Sequence, residues 1–529
     1  MNDTARDNAA ADAGRWPDVV MAAYLLGCGL FYGWTVSFHP TYSYPEGDEA
    51  TYYSYAAHPW TLTSDFFEGY PPKEAINPYN ARLFLTPFSA VFAVFGFTVA
   101  GARRLLVLYG IVLLALTYLV GKRVAPPPWA LAATVLLSLS PAFVYATHIV
   151  RPEVLVCVFI MACIWIMVRR ESLQPSDYFW AGLTSSAALF VHYNAVVLPA
   201  IVGVTLLVFD HRDLSLRKTL LGLGGVACAA VAIVVLDFLP AIETIGRYGL
   251  LPVTFVSKNE VPLFYEFSLD RLLLHPASVY AQYFNGKMNL EIRTVWFTAA
   301  LLPVALWGLV AARRRAEWLV ATVIALLLAA LFAVFPNIRD AYALYLFAPL
   351  FVLVASGLAK LPRHPLFTVP AIALLLVVGG AYIEDNLRTL RASHEQHIDN
   401  QPFEREFRTQ LESLGRPEEL VVMSTQEFHA VAHDTRFRTF HSLIETGDLR
   451  TAIDRLEPDL IVLHPRAFFV LARFLGKKGG KVRQFQTETI LTIRRAGFEP
   501  RYEEELYKWN DQQVILFVKP RSDARTESR

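Results

Sequence analysis

The chain has 529 residues, 54% of them hydrophobic and 18% charged, with a mean hydropathy of +0.36. That is too apolar for an ordinary soluble protein of this length. The net charge of +1 gives no reason to expect a nucleic-acid partner, so the placement of the basic residues carries the information.

A helix crossing about 30 Å of hydrocarbon needs roughly twenty apolar residues. After a short polar start, the first such run is Val19 to Phe38. It is longer than a signal-peptide core and lacks a small-x-small cleavage site, so a retained signal anchor is expected. Further spans are expected at 103–121, 128–147, 152–168, 177–198, 194–209, 217–238, 293–312, 316–336, 341–359 and 366–383. Two of these overlap, and a tight turn near His192–Asn194 is the expected break. Cys28, Cys157, Cys163 and Cys228 all fall inside apolar runs with no CxxC pair, which fits small buried side chains.

The apolar segment Leu83 to Ala100 decides the topology. If it does not span and the N-terminus is cytoplasmic, five basic clusters lie inside: Lys122–Arg123, Arg169–Arg170, Arg212 with Arg217–Lys218, Arg313–Arg315 and Lys360–Arg363. If it spans, all five move outside. The segment is therefore expected to lie at the outer interface or to re-enter the membrane. Sequence thus predicts a mainly α, polytopic transmembrane helical protein of about 11 spans. Residues 1–18 are a cytoplasmic N-terminus and 19–384 the transmembrane domain. Outer loops are expected at 39–102, with interfacial helices, and at 239–292. From 385 to 529 the composition is polar. Strands are expected at Glu419–Ser424, Asp459–His464 and Gln513–Val518, and helices at Gly447–Leu456 and Thr487–Ala496, giving a small C-terminal α/β domain outside.

The first outer loop carries Tyr44-Pro-Glu-Gly-Asp-Glu-Ala-Thr-Tyr-Tyr-Ser-Tyr55. Asp48 makes a good N-cap and Glu49 suits a first helical turn. The same pair fits a carboxylate held at the membrane surface as general base for an acceptor hydroxyl. Thr147-His-Ile-Val-Arg-Pro-Glu153 is the second constellation. It sets His148 and Arg151 at the outer mouth of a span, where an arginine is either a snorkelling lipid anchor or a guanidinium clamp for phosphate. His192–Tyr193 and Asn337-Ile-Arg-Asp340 fall in shorter outer turns, where an Arg339–Asp340 surface pair is the plain alternative. Lys73 and Arg82 add charge to the first loop, and its aromatic residues suit an interface.

There is no P-loop, GxGxxG after a strand, HExxH or Cys/His ligand spacing. Few charges lie in the middle of the spans, which counts against an ion-coupled transporter.

Taken in order, the motifs resemble a known family. They are Gly47-Asp48-Glu49-Ala50, an apolar helix ending Phe95-Gly96, the Ala-Arg-Arg-Leu-Leu that opens the second span, and Arg151-Pro-Glu153. Together they resemble the polytopic GT-C glycosyltransferases, particularly bacterial relatives of the protein O-mannosyltransferases and of the lipid A aminoarabinose transferase. The likeness covers residues 20–345 in layout. It implies a polyprenyl-phosphate-linked sugar donor, an envelope acceptor (glycan, lipid or protein) and inverting transfer on the extracytoplasmic face of the bacterial inner membrane. It also implies a carboxylate base, Asp48 as first choice and Glu49 as second. Arg151, His148, Arg339, Arg82, Lys73, His192 and Tyr193 are then the groups around the donor phosphate. No cofactor or metal is implied. His192 stands where relatives often carry Lys, and its imidazole is the weaker phosphate partner. A lipid-linked saccharide transporter or a non-catalytic envelope scaffold is the rival reading; a transporter needs binding groups open to both sides.

Overall fold

A computed structural model describes residues 3–38, 52, 56, 82–96, 98–239, 298–333, 343–362 and 364–414. In the tail it describes 421–424, 438–440, 450, 453–454, 457–463, 479–501, 508–509, 512–513 and 515–519. The chain divides into two compact units. One comprises Met1–Val36, Tyr79–Phe84 and Arg103–Leu390, the other Ser37–Pro78, Leu85–Ala102 and Arg391–Arg529.

Helices dominate the chain up to residue 414. They are α1 (Asp3–Thr35), α2 (Arg82–Phe95), α3 (Val99–Val124), α4 (Pro127–Leu139), α5 (Pro141–His148), α6 (Glu153–Val168) and α7 (Pro175–Ala187). Then come α8 (Val197–Asp210), α9 (Leu216–Ile233), α10 (Leu302–Val310), α11 (Arg315–Ala333), α12 (Ala343–Ala359) and α13 (Pro365–Leu414). Among the described residues four helices are long and apolar enough to cross a membrane, or five if the bent pair α4–α5 counts as one span. Shorter apolar helices include α2, α6 and α8. The protein is a multi-pass membrane protein.

α6 is the hub of the first unit. Twelve of its sixteen residues are buried, as expected of a helix that is apolar all round. α12 packs on it and on α4, α10 and α11. Close approach depends on glycines at two places. Gly225 of α9 faces the Phe179 carbonyl of α7, and an added Cβ there would collide with it. At Gly308 of α10 a Cβ would stand 2.6 Å from the backbone nitrogen of Gly357 in α12. Such small-residue contacts are how helices approach closely in a bilayer.

Helix α1 fixes the direction of travel. At one end Asp18 pairs with Lys122 at 2.7 Å. At the other, Arg104 Nε donates to the Gly33 carbonyl at 3.1 Å. α1 and α3 are therefore antiparallel neighbours. The chain leaves and rejoins the same end between Val36 and Arg103, so α2 is not a lone crossing. Gly96, at φ +75°, closes α2 with its N–H on the Phe92 carbonyl at 3.0 Å.

The basic clusters collect at the end where Lys122 lies. Arg314 Nη1 donates to the Arg123 carbonyl at 3.2 Å, Arg315 pairs with Asp210 at 3.0 Å, and Arg169 pairs with Asp177. Lys360 pairs with Glu317 at 2.8 Å, and Lys218 Nζ lies 5.2 Å from the centroid of the Tyr178 ring.

Several expectations need correction. The span foreseen at 128–147 is two helices, α4 and α5, bent by 59°. Pro141 lacks the N–H that would continue the ladder. Ser140 accepts from the Phe143 N–H at 3.3 Å, and the freed Leu139 carbonyl accepts from Asn386 Nδ2 at 2.7 Å. The overlapping spans at 177–198 and 194–209 part around His192, and the break is wider than a tight turn: α7 ends at Ala187 and two short 3-10 turns carry the chain to α8. The helix of the last span continues past 383: α13 runs on to Leu414 through polar residues that form i,i+4 pairs such as Arg391–Glu395. Three cysteines are buried but Cys228 is exposed, on the apolar outer face of α9.

In the tail, β1 (Val421–Ser424), β2 (Arg438–Phe440), β3 (Leu460–Leu463), β4 (Glu499–Arg501) and β7 (Ile515–Val518) form one sheet in the order β2-β1-β3-β7-β4. A separate bridge joins β5 (Lys508–Trp509) to β6 (Gln512–Gln513). β1 runs parallel to both β2 and β3, while β7 is antiparallel to β3 and β4. Helix α14 (Gly479–Arg495) lies between β3 and β4 in sequence. Ile461, Ile493, Phe498 and Phe517 are buried. β2 and β4 escaped the sequence reading because three-residue strands carry too little alternation to register. The helix expected at 487–496 begins earlier, at Gly479.

Candidate functional site

Opposite the basic end, the first unit buries an unusual set of polar groups. Arg103 is fully buried, as are His148 and Glu153, while Arg151 and His192 are 4% and 7% exposed. The sequence places them there for separable reasons. Arg103 enters with the first turns of α3. His148 ends α5, where Ile149 leaves the helix in an extended conformation. Pro152 then caps α6 in helical geometry, so Glu153 occupies its first position, where a carboxylate suits the helix dipole.

Arg151 and Glu153 form a buried ion pair. Arg151 Nη2 donates to Glu153 Oε1 at 2.6 Å, and its Nε lies 3.1 Å from each carboxylate oxygen. His192 lies close to the same carboxylate. The His148 ring is held on both nitrogens: Thr35 Oγ1 lies 2.9 Å from Nε2 and the Val144 carbonyl 2.8 Å from Nδ1. Tyr32 packs edge-on against the ring, with centroids 5.6 Å apart. Arg103 is close enough for its charge to reach that ring.

The sequence set His148 and Arg151 at an open mouth, with snorkelling as one reading of Arg151. Both are instead inside the bundle, and Arg151 is locked to Glu153 rather than extended to lipid. Arg82, the first residue of α2, is also buried, at 6% exposure. Tyr193 opens a 3-10 turn with Val196. Asp48, Glu49, Lys73 and Arg339 lie outside the described residues. So the structure places Arg151 and His192 about Glu153 and His148 beside Thr35 and Arg103, three partners (Glu153, Thr35 and Arg103) that the sequence had not singled out as site residues. Arg103 could have been found, since a charged residue in the first turns of an apolar span demands a partner. Thr35, 113 residues from His148, gave no local signal. Among the described residues no group of three or more His, Cys, Asp or Glu could hold a metal ion.

Chemically, this end can hold negative charge in a medium of low dielectric. Buried guanidinium groups there act on an anion more strongly than in water, and the surrounding hydrogen bonds fix their geometry in advance.

The architecture is that of the membrane GT-C glycosyltransferase fold. Residues 85–237 match the family model described as dolichyl-phosphate-mannose-protein mannosyltransferase. The chain is similar to the structure of ArnT from Cupriavidus metallidurans bound to undecaprenyl phosphate, with a TM-score of 0.62 and 12% identity. That likeness covers 96% of this chain and 99% of that one. The apo form of the same protein gives a TM-score of 0.60. Archaeal oligosaccharyltransferase AglB from Archaeoglobus fulgidus, in complex with an inhibitory peptide and a dolichol-phosphate, is similar at a TM-score of 0.50 and 12% identity, over 94% of this chain and 74% of that one. No curated protein matches the sequence.

Proposed function

We propose that the chain is a membrane glycosyltransferase that moves a sugar from a polyprenyl-phosphate donor to a hydroxyl of an envelope glycan, lipid or protein. The observation that carries the reading is the fold likeness to a structure with a polyprenyl phosphate bound, which spans nearly the whole of both chains. The buried cations at one end of the first unit add the chemistry such a donor requires.

In this reading Asp48 takes the proton from the acceptor hydroxyl as that oxygen attacks the anomeric carbon. The bond from that carbon to the phosphate oxygen breaks, and the bonding electrons leave on the lipid phosphate. One displacement inverts the anomeric centre and needs no carboxylate nucleophile. Glu49 assists the base. Arg103, Arg151, Arg82 and Arg339 balance the charge that grows on the phosphate, with Lys73, His192 and Tyr193 at its margin. Glu153 holds Arg151 in place, and Thr35 and Tyr32 hold His148, whose ring serves as a wall of the site rather than as a phosphate ligand. The basic end faces the cytoplasm, in accord with the positive-inside rule, so transfer occurs on the extracytoplasmic side.

The test uses the purified full chain with a panel of polyprenyl-phosphate sugars and envelope acceptors, following release of the lipid phosphate. Acceptor-dependent release with at least one donor, lost in Asp48→Asn, is expected. Movement of the lipid-linked sugar across a vesicle membrane without any release would turn the reading toward a transporter.

A further inference from the structure

The basic end holds a cavity of about 240 Å³ that the transfer chemistry does not use. Its walls carry Lys122, Arg123, Arg169, Arg170, Arg314 and Arg315. Loops of like charge at the cytoplasmic face are ordinary in membrane proteins. Three of these loops, far apart in sequence, converging on one concavity are not required by that rule.

The charges are unevenly matched. Lys122 pairs with Asp18, Arg169 with Asp177, and Arg315 with Asp210. Arg170 has only the same Asp177, at 3.7 Å. Among the described residues neither Arg123 nor Arg314 pairs with a carboxylate. Arg123 lies over the Trp165 ring, 5.3 Å from its centroid, and Arg314 uses one nitrogen on the Arg123 carbonyl. Glu171 is the one carboxylate on the cavity wall. Counting it with the three aspartates leaves the six cations with an excess of positive charge.

The cavity also sits at the depth of a membrane surface. Trp16, Trp180, Trp307 and Trp318 are each between 42% and 50% exposed at this end. Exposed tryptophans gather where hydrocarbon meets headgroups. The neighbouring helix surfaces are apolar and exposed, with Val310 at 77% and Leu306 at 58%.

We infer that this cavity binds a phosphate group, supplied by the headgroup of an anionic membrane lipid. Arg123 and Arg314 are its principal ligands, because a guanidinium fits phosphate oxygens two at a time. The tryptophans hold the protein at the height where such a headgroup lies. The inference stands apart from the transferase reading, since it uses neither its residues nor its end of the unit.

The experiment places the full chain in nanodiscs of phosphatidylcholine and titrates phosphatidylglycerol, with retained lipid read by native mass spectrometry. A parallel arm titrates inorganic phosphate in detergent. Arg123→Gln with Arg314→Gln should weaken phosphatidylglycerol retention about tenfold, the effect of removing one to two charge-assisted contacts. Arg217→Gln with Lys218→Gln, at the same end but off the cavity, should change it less than about twofold. Glu171→Gln should tighten retention by about threefold, a gain that misfolding cannot imitate. Saturable inorganic phosphate binding at micromolar levels, lost in the same double variant, would support the phosphate site and assign it a soluble ligand. Equal losses in the two double variants, or no gain from Glu171→Gln, would overturn the inference and leave only a topological charge.

Discussion

The two ends of the transmembrane unit handle charge in opposite ways. At the basic end the cations reach water: the side chains of Lys122 and Asp18 are 30% and 48% exposed, and Arg169, Arg315 and Lys360 stay partly exposed even where they pair with buried Asp177, Asp210 and Glu317. At the other end Arg151 and Glu153 are 5% and 1% exposed, and Arg103 is fully buried. An exposed pair such as Lys122–Asp18 contributes at most about 1 kcal/mol, so its charges can serve topology and surface binding. Buried ions lose their hydration, and the loss is only offset by close, well-formed pairing. A bundle of apolar helices that nonetheless buries two guanidinium groups at one end is arranged for something besides stability.

Removing one partner of the buried pair should produce the largest effect. Glu153→Gln leaves the Arg151 charge inside the bundle without its counter-ion and should cost about 3–5 kcal/mol, read from denaturation midpoints of the purified protein. Replacing both residues, Arg151→Leu with Glu153→Leu, should recover much of that loss because no charge is left stranded. A single variant no less stable than the double one would mean that water reaches the pair, and the contrast between the ends would fail.

Next comes the catalytic asymmetry. Asp48→Asn should lower sugar transfer by at least about a hundredfold, the usual contribution of a general base, with the denaturation midpoint unchanged. Full activity in that variant would remove Asp48 from the mechanism while leaving the fold and the buried cluster as they are.

Sequence patterning revealed the bundle better than the site. Long apolar runs and basic loops specify helices and a shared end, because hydrophobicity and charge asymmetry are local properties summed over many residues. The bend at Pro141 was visible as a Pro after Ser140, yet it was absorbed into one apolar run whose hydropathy does not register geometry. The site was legible only in part. His148, Arg151 and His192 stood out as polar groups at span ends, but their burial did not, since it depends on α1 and α3 packing over them. The Thr35–His148 contact joins residues that no periodicity links. In the tail, the strands at β1, β3 and β7 were readable from their apolar composition, whereas β2 and β4 exist through pairing with neighbours.

Thr35→Val offers a finer probe of the buried end. It keeps the shape but removes the hydroxyl that meets His148 Nε2. Loss of that buried hydrogen bond should cost about 0.5–1.5 kcal/mol, so the denaturation midpoint should fall measurably. If His148 is a wall of the site, transfer activity per folded molecule should stay within about threefold of the parent, since no phosphate contact is lost. A collapse of activity at unchanged stability would instead make the imidazole a direct participant.

The smallest effect is expected from Asp18→Asn at the basic end. Asp18 accepts hydrogen bonds from Lys122 at 2.7 Å and from Tyr118 at 2.6 Å, and an asparagine carbonyl can still accept both. What is lost is the charge, and for a pair this exposed the change should be no more than about 1 kcal/mol, shrinking further as salt is raised. The comparison with Glu153→Gln is direct, because each substitution removes one carboxylate charge from one ion pair and leaves an amide of the same shape. Salt dependence is the sharper readout: added salt should erase the Asp18→Asn difference and leave the Glu153→Gln difference almost intact, since mobile ions screen a hydrated pair but cannot enter a buried one. Equal salt sensitivity at the two positions would show that both ends are wet, and the buried cations would then need no special explanation.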